Sequence, residues 1–205
     1  MKLFYGWLLL TCLASCQEQP APPSSRMPIT NDSAFLKNEP VNPYMAVDIS
    51  PMDMSYLPND YPKVADPNHP PVARVIYSRP HKQGRRIFGS LLKYGEPWRL
   101  GANEATEIEF FRPVTIQHKA IPKGKYVIYC IPQADHWTIV LNSNINSWGL
   151  TPDPSRDLYK FDIPVQQKDM SIEYFSMVFQ NAPAGADLVM AWDNVEARLP
   201  IQLHP

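Results

Sequence analysis

Six cationic side chains and one acid lie between positions 79 and 99: Arg79, Lys82, Arg85, Arg86, Lys93 and Arg99 against Glu96. Trp98 precedes Arg99, and Asn103 and Glu104 follow closely. Guanidinium groups carry planar, forked donors that match carboxylate and phosphate oxygens. An indole adds a stacking face, and an amide and a carboxylate add acceptors. Arg79, Arg85, Trp98, Arg99, Asn103 and Glu104 therefore have the composition of a polar pocket for a small anionic or carbohydrate-like ligand. The same residues would also suit a closed structural network, in which arginines hold a carboxylate and backbone carbonyls and every member must be satisfied. In either case Arg79, Arg99 and Glu104 are expected to form one constellation, the glycines between them allowing the chain to double back.

Other chemistries leave weaker marks. Asp53, Glu104 and Asp193 would supply paired carboxylates for glycoside hydrolysis if the fold gathered them, with Glu104 or Asp53 as acid/base. That is the enzymatic alternative, and no catalytic residue is assigned. There is no G-x-S-x-G elbow, Walker motif, zinc knuckle or dinucleotide fingerprint. His69, His81, His118, His136 and His204 are scattered, none paired at metal-ligand spacing, so neither a metal nor a cofactor is expected. A formal charge of −1 argues against a general nucleic-acid binder. Cys130 lies in the strand-like run from Tyr126 to Ile131 with no basic neighbour, and reads as a buried small hydrophobe rather than a nucleophile.

A different chemistry is written at the start of the chain. Leu13-Ala14-Ser15-Cys16 has the form of a bacterial lipobox. Lys2 and an apolar run up to Leu13 precede it, the layout of a secretory signal peptide. The run is too short for a spanning helix, which needs about twenty apolar residues. Cleavage before Cys16 and acylation of its thiol would attach the chain to a lipid bilayer, each buried methylene contributing ~0.8 kcal/mol. The expected location is the cell envelope, lipid-anchored. With Cys12 removed and Cys16 acylated, only Cys130 remains, so no intrachain disulfide is expected.

The elements that must position these residues follow from proline and from alternation. Twelve of the 23 prolines fall within residues 17–71, a stretch without glycine. Residues 1–15 read as the signal, 16–47 as a Pro-rich tether, and 48–205 as one domain with an extended lead-in at 48–71. Met45 and Val47 at its edge and Ile49, Met52, Met54, Tyr56, Leu57 and Tyr61 within it give the lead-in more apolar surface than a solvated linker needs, so it is expected to lie against the domain. Beyond it, short β-rich runs alternate with turn residues: 72–78, 106–112, 114–117, 125–131, 136–142, 158–163, 171–180, 187–192 and 195–201. No segment of ten residues has helical spacing. The chain is predicted to be all-β, an antiparallel sandwich or jelly roll of about nine strands.

The elements Tyr77-Ser78-Arg79-Pro80, Gly84-Arg85 with Ile87-Phe88-Gly89, and Trp98-Arg99 with Gly101 through Thr106 carry a resemblance as well. So do Gly124-Lys125-Tyr126, Ile131-Pro132, Trp137-Thr138, Trp148-Gly149 and Trp192-Asp193. Over roughly residues 48–201 the chain resembles the domain of unknown function 2911, found in secreted and lipid-anchored proteins of Gram-negative bacteria. The resemblance implies a β-sandwich-like fold and no particular activity. The leading expectation is a lipid-anchored envelope module that binds a small ligand, glycan or partner without catalysis. The alternatives are the carboxylate hydrolase and a purely structural or assembly lipoprotein.

Overall fold

Strand-forming residues dominate the computed structural model, which describes residues 48–64 and 70–203. The strands are β1 (Met52–Leu57), β2 (Ala73–Ser78), β3 (Glu107–Phe110), β4 (Val114–Ile116), β5 (Lys119–Ile121), β6 (Gly124–Pro132), β7 (His136–Asn142), β8 (Asp157–Ala182) and β9 (Gly185–Gln202). One helical turn, Tyr61–Val64, and a 3₁₀ turn, Pro154–Arg156, complete the elements. The signal, the tether and Cys16 lie outside the described residues. Among the described residues no helix is long and apolar enough to cross a membrane.

The nine strands form one antiparallel sheet in the order β1-β2-β3-β6-β7-β8-β9-β4-β5. The central strands β6 and β7 are buried along most of their length, as their runs Tyr-Val-Ile-Tyr-Cys and Ile-Val-Leu require. β8 joins the two halves. Residues from Asp157 to Pro164 pair with β7, and residues from Val165 to Ala182 pair with β9. Pro164, which has no N–H to donate, stands at the exchange of partners. Register shifts between Gln167 and Ile172 and between Ile172 and Ser176 bend the strand further. The sheet thereby folds on itself into a sandwich-like arrangement, with Tyr77 of β2 edge-on to Phe175 of β8 at 5.7 Å.

The core between the two halves is aromatic. Trp98 stacks on Trp192 at 5.7 Å and meets Trp137 and Phe175 edge-on at 6.0 and 4.8 Å. Phe161, Phe179 and Ile128 extend the same cluster. Cys130 is part of it, and burial pushes its thiol well above the ordinary range, which suits a hydrophobe and not a nucleophile.

The strands are redistributed relative to the sequence reading. The runs at 158–163 and 171–180 are one strand, β8, and those at 187–192 and 195–201 are one strand, β9. β1 and β5 were not among the expected nine. β1 is the paired part of the lead-in: all six of its residues register against β2, and Ser55 Oγ accepts from Phe179 N–H of β8.

Candidate functional site

The connection between β2 and β3, residues 79–106, carries the basic cluster, and it is pinned at both ends. Near its start Phe175 N–H donates to Pro80 O at 3.0 Å, and Lys82 N–H donates to Glu173 O at 2.8 Å, fixing it to β8. Further on, Trp98 and Cys130 exchange two backbone bonds of 2.7 and 2.9 Å, and Ile128 N–H reaches Thr106 O at 2.9 Å, fixing it to β6. Between these last anchors the chain turns tightly. Trp98 Nε1–H donates to Gly101 O at 3.2 Å, and Thr106 Oγ1–H donates to Leu100 O at 2.8 Å. Gly101 fits because any Cβ there would stand 3.1 Å from Ser78 O. Across from it Gly149, at φ +77°, lies against Ala105, where a Cβ would come within 2.9 Å of that residue's Cα.

These contacts enclose a cleft of about 520 Å³. Its polar lining includes Arg85, Arg99, His81 and Gln83; Trp98 and Trp192 contribute its aromatic surface, and Leu91 and Leu150 its apolar one. None of the described residues lining it is an Asp or Glu. Arg85 is held by the chain it follows: Nε donates to Lys82 O at 2.9 Å and Nη2 to His81 O. Arg99 donates through Nη1 to Trp148 O at 3.2 Å. Burial lowers the pKa of Arg99 from its ordinary value, and the Glu104 carboxylate works in the opposite direction. The arginine stays charged, and its other guanidinium nitrogens have no partner among the described residues. His81 packs on the ring of Tyr174 at 4.1 Å.

A second cleft of about 370 Å³ adjoins the first. It is lined by Glu104, Glu107, Trp148, Tyr77, Asn146 and Met52 among others, and no Lys, Arg or His is among its described lining residues. Glu107 faces Lys125 at 3.4 Å. Glu104 is exposed and makes no ion pair or hydrogen bond among the described residues. Trp148 is 58% exposed.

The expected constellation of Arg79, Arg99 and Glu104 divides in three. Arg79 is a structural pin: Nη1 meets Asp53 of β1 at 3.2 Å, Nη2 meets Ser176 Oγ at 3.1 Å, and Nε meets Phe175 O at 3.3 Å. Its carboxylate partner is therefore Asp53, to which Tyr77 Oη–H also points at 3.4 Å. Arg99 faces the larger cleft, and Glu104, acting on it only through space, faces the smaller. Asn103, at φ 59°, lines neither cleft; its amide bonds the Asp48 carboxylate and ties the lead-in to the cleft wall. Trp98 is core first, with 7% of its surface exposed. The three carboxylates weighed for hydrolysis have separate surroundings: Asp53 pairs with Arg79, Asp193 with Lys82 at 2.7 Å, and Glu104 lies in the smaller cleft. Among the described residues no group of three or more His, Cys, Asp or Glu is placed to hold a metal.

Sequence reasoning did not single out His81, Gln83, Leu91, Leu150 or Glu107 as lining residues. The motif Trp148-Gly149 was the available signal for one wall, and the β2–β3 connection itself for the other. A family model described as "Protein of unknown function (DUF2911)" matches residues 69–201. No curated protein and no solved structure matches the chain.

Proposed function

The chain belongs to the DUF2911 family, and from its own geometry we propose that it is a lipid-anchored envelope module whose larger cleft binds a small organic anion without catalysis. The observation that carries this reading is the lining of that cleft. Two guanidinium groups and an imidazole face a space of about 520 Å³ with aromatic and leucine surface around it and no carboxylate among its described lining. Guanidinium groups gathered without acids repel one another unless an anion joins them, and a cleft walled by apolar side chains strengthens that attraction. The volume suits a small molecule. The lipid anchor rests on the lipobox at Cys16. The hydrolytic alternative has less support, because no acid/base carboxylate lines the larger cleft.

Thermal-shift titration of the purified protein with organic monoanions and sugar acids tests the reading. A ligand that binds the folded state raises the melting temperature by RT ln(1 + [L]/Kd) in free-energy terms. We expect a concentration-dependent rise with at least one anion, weakened by salt and lost in Arg99→Gln. No rise with any anion, or a rise that survives the Arg85→Gln/Arg99→Gln pair unchanged, contradicts it.

A further inference from the structure

The two clefts share their walls. Each of four chain segments gives one end to the basic cleft and the other to the acidic one: Ser50 and Met52, Pro80 and Ser78, Ala102 and Glu104, Leu150 and Trp148, the first of each pair lining the basic cleft. All four segments cross the boundary between the clefts, so the clefts lie side by side along it. Arg99 of the positive cleft, bonded to Trp148 O, therefore stands at its boundary with the negative cleft, which holds Glu104 and Glu107. The electrostatic reach of Glu104 to Arg99 agrees with that proximity.

Resting on the anion reading of the larger cleft, we propose that the two clefts together bind one elongated zwitterion, of the size and charge of a short unblocked peptide. Its carboxylate lies at Arg99 and Arg85, and its ammonium group lies at Glu104 against the exposed face of Trp148. Three features fit this occupant. Glu104 is a carboxylate without a direct partner among the described residues, whereas Glu107 already faces Lys125. An indole is the best aromatic partner for an ammonium group, and Trp148 presents 58% of its surface beside that carboxylate. Trp148 also accepts from Arg99 through its backbone carbonyl, so one residue bonds the cation of the basic cleft and lines the acidic one. A simple anion would use the basic cleft and leave the acidic one unexplained. An anion in the basic cleft would also be repelled by Glu104, and a ligand carrying its own cation turns that repulsion into attraction.

The test compares three probes of one length on the purified full chain by calorimetric titration: triglycine, N-acetyl-triglycine and triglycine amide. The first carries both charges, the second only the anion, the third only the cation. Triglycine is expected to bind about fivefold more tightly than N-acetyl-triglycine, the worth of one partly exposed ion pair. Glu104→Gln should reduce that advantage to less than twofold, and Trp148→Ala should reduce it as well. Equal binding of triglycine and N-acetyl-triglycine overturns the zwitterion assignment and leaves the anion cleft standing. An advantage that persists in Glu104→Gln overturns it too. Binding by none of the three also overturns it, and the monoanion titration then decides the larger cleft separately.

Discussion

Replacing Arg79 and Arg99 by methionine, one at a time, separates the structural arginine from the ligand-facing one. Arg79 makes an ion pair at 3.2 Å with Asp53, but the two side chains are 36% and 42% exposed. Solvent screens such a pair to about 0.5 kcal/mol. Its bonds to Phe175 O and Ser176 Oγ are partly buried and contribute about 0.5 kcal/mol each at that exposure. Its guanidinium also lies 5.8 Å from the ring centre of Tyr174, for roughly another 0.5 kcal/mol. Arg79→Met should therefore destabilise the domain by about 2 kcal/mol, and in a domain of this size each kcal/mol lowers the melting temperature by about 2–4 °C. Arg99 makes one bond, 3.2 Å, to Trp148 O, and burial disfavours its charge. Arg99→Met should change stability by less than about 0.5 kcal/mol, since a surface substitution away from a packed network does little. Urea denaturation gives the stabilities, and titration with N-acetyl-triglycine gives the binding. Arg79→Met should be less stable and still bind; Arg99→Met should be stable and fail to bind. The reasoning is refuted if Arg99→Met loses more stability than Arg79→Met, or if a folded Arg79→Met protein no longer binds.

Gly149→Ala places a Cβ 2.9 Å from Ala105 in a left-handed residue, so a loss of roughly 2 kcal/mol is expected in urea denaturation; an unchanged midpoint would speak against the close approach. Burial favours the neutral form of Asp157, but Asn142, Lys160 and Tyr129 outweigh it and hold its carboxyl below the usual carboxylate range. The folded pKa is depressed, so this stabilisation is present above the unfolded value of about 3.9 and is lost as pH falls through the folded one. Melting temperatures of the wild type and Asp157→Asn should thus differ at pH 7 and converge below about pH 4, and a gap of constant size would exclude the linkage. Cys16→Ala should move the protein from the membrane fraction to the soluble fraction, read by fractionation and by mass spectrometry of the mature N-terminus; unchanged membrane attachment would dispose of the lipid anchor.

Much of the sheet was legible because burial alternates or runs continuously within short segments, as in β2, β6 and β7. The errors have local causes. The β4–β5 hairpin turns through Gln117 and His118 at φ 45° and 63°, without the Asn-Gly or Asp-Gly pair that marks such turns. Asp193-Asn194 looks like a turn between two strands, yet Asp193 sits at φ 54° within β9, opposite an irregular stretch of β8. The residues from Gln166 to Ser171, polar except Met170 and all exposed, look like a loop, although they continue β8. β1 has prolines at both flanks and pairs with β2 mainly through its backbone, leaving Met52 and Met54 exposed.

The candidate site was legible in composition and not in grouping. Arg85 and Arg99 face the larger cleft, and Glu104 the adjoining one. Arg79 differs because the groups that satisfy it come from β1 and from β8, ninety-six and ninety-seven residues later in the chain for the latter. Spacing along the chain carries no trace of such partners. The opposite charge of the two clefts was hidden for a related reason: Ala102 and Glu104 are two residues apart yet line different cavities.

The central claim is that Arg85 and Arg99 mark an anion site, and a crystal structure of the protein soaked with N-acetyl-triglycine tests it most directly. The account predicts the probe's carboxylate within hydrogen-bonding distance of the Arg99 guanidinium, in the cleft beside Trp98 and Trp192. A carboxylate bound instead at the outer cations Arg86 and Lys93, or a cleft that stays empty with this probe and with every anion of the thermal-shift series, would contradict it.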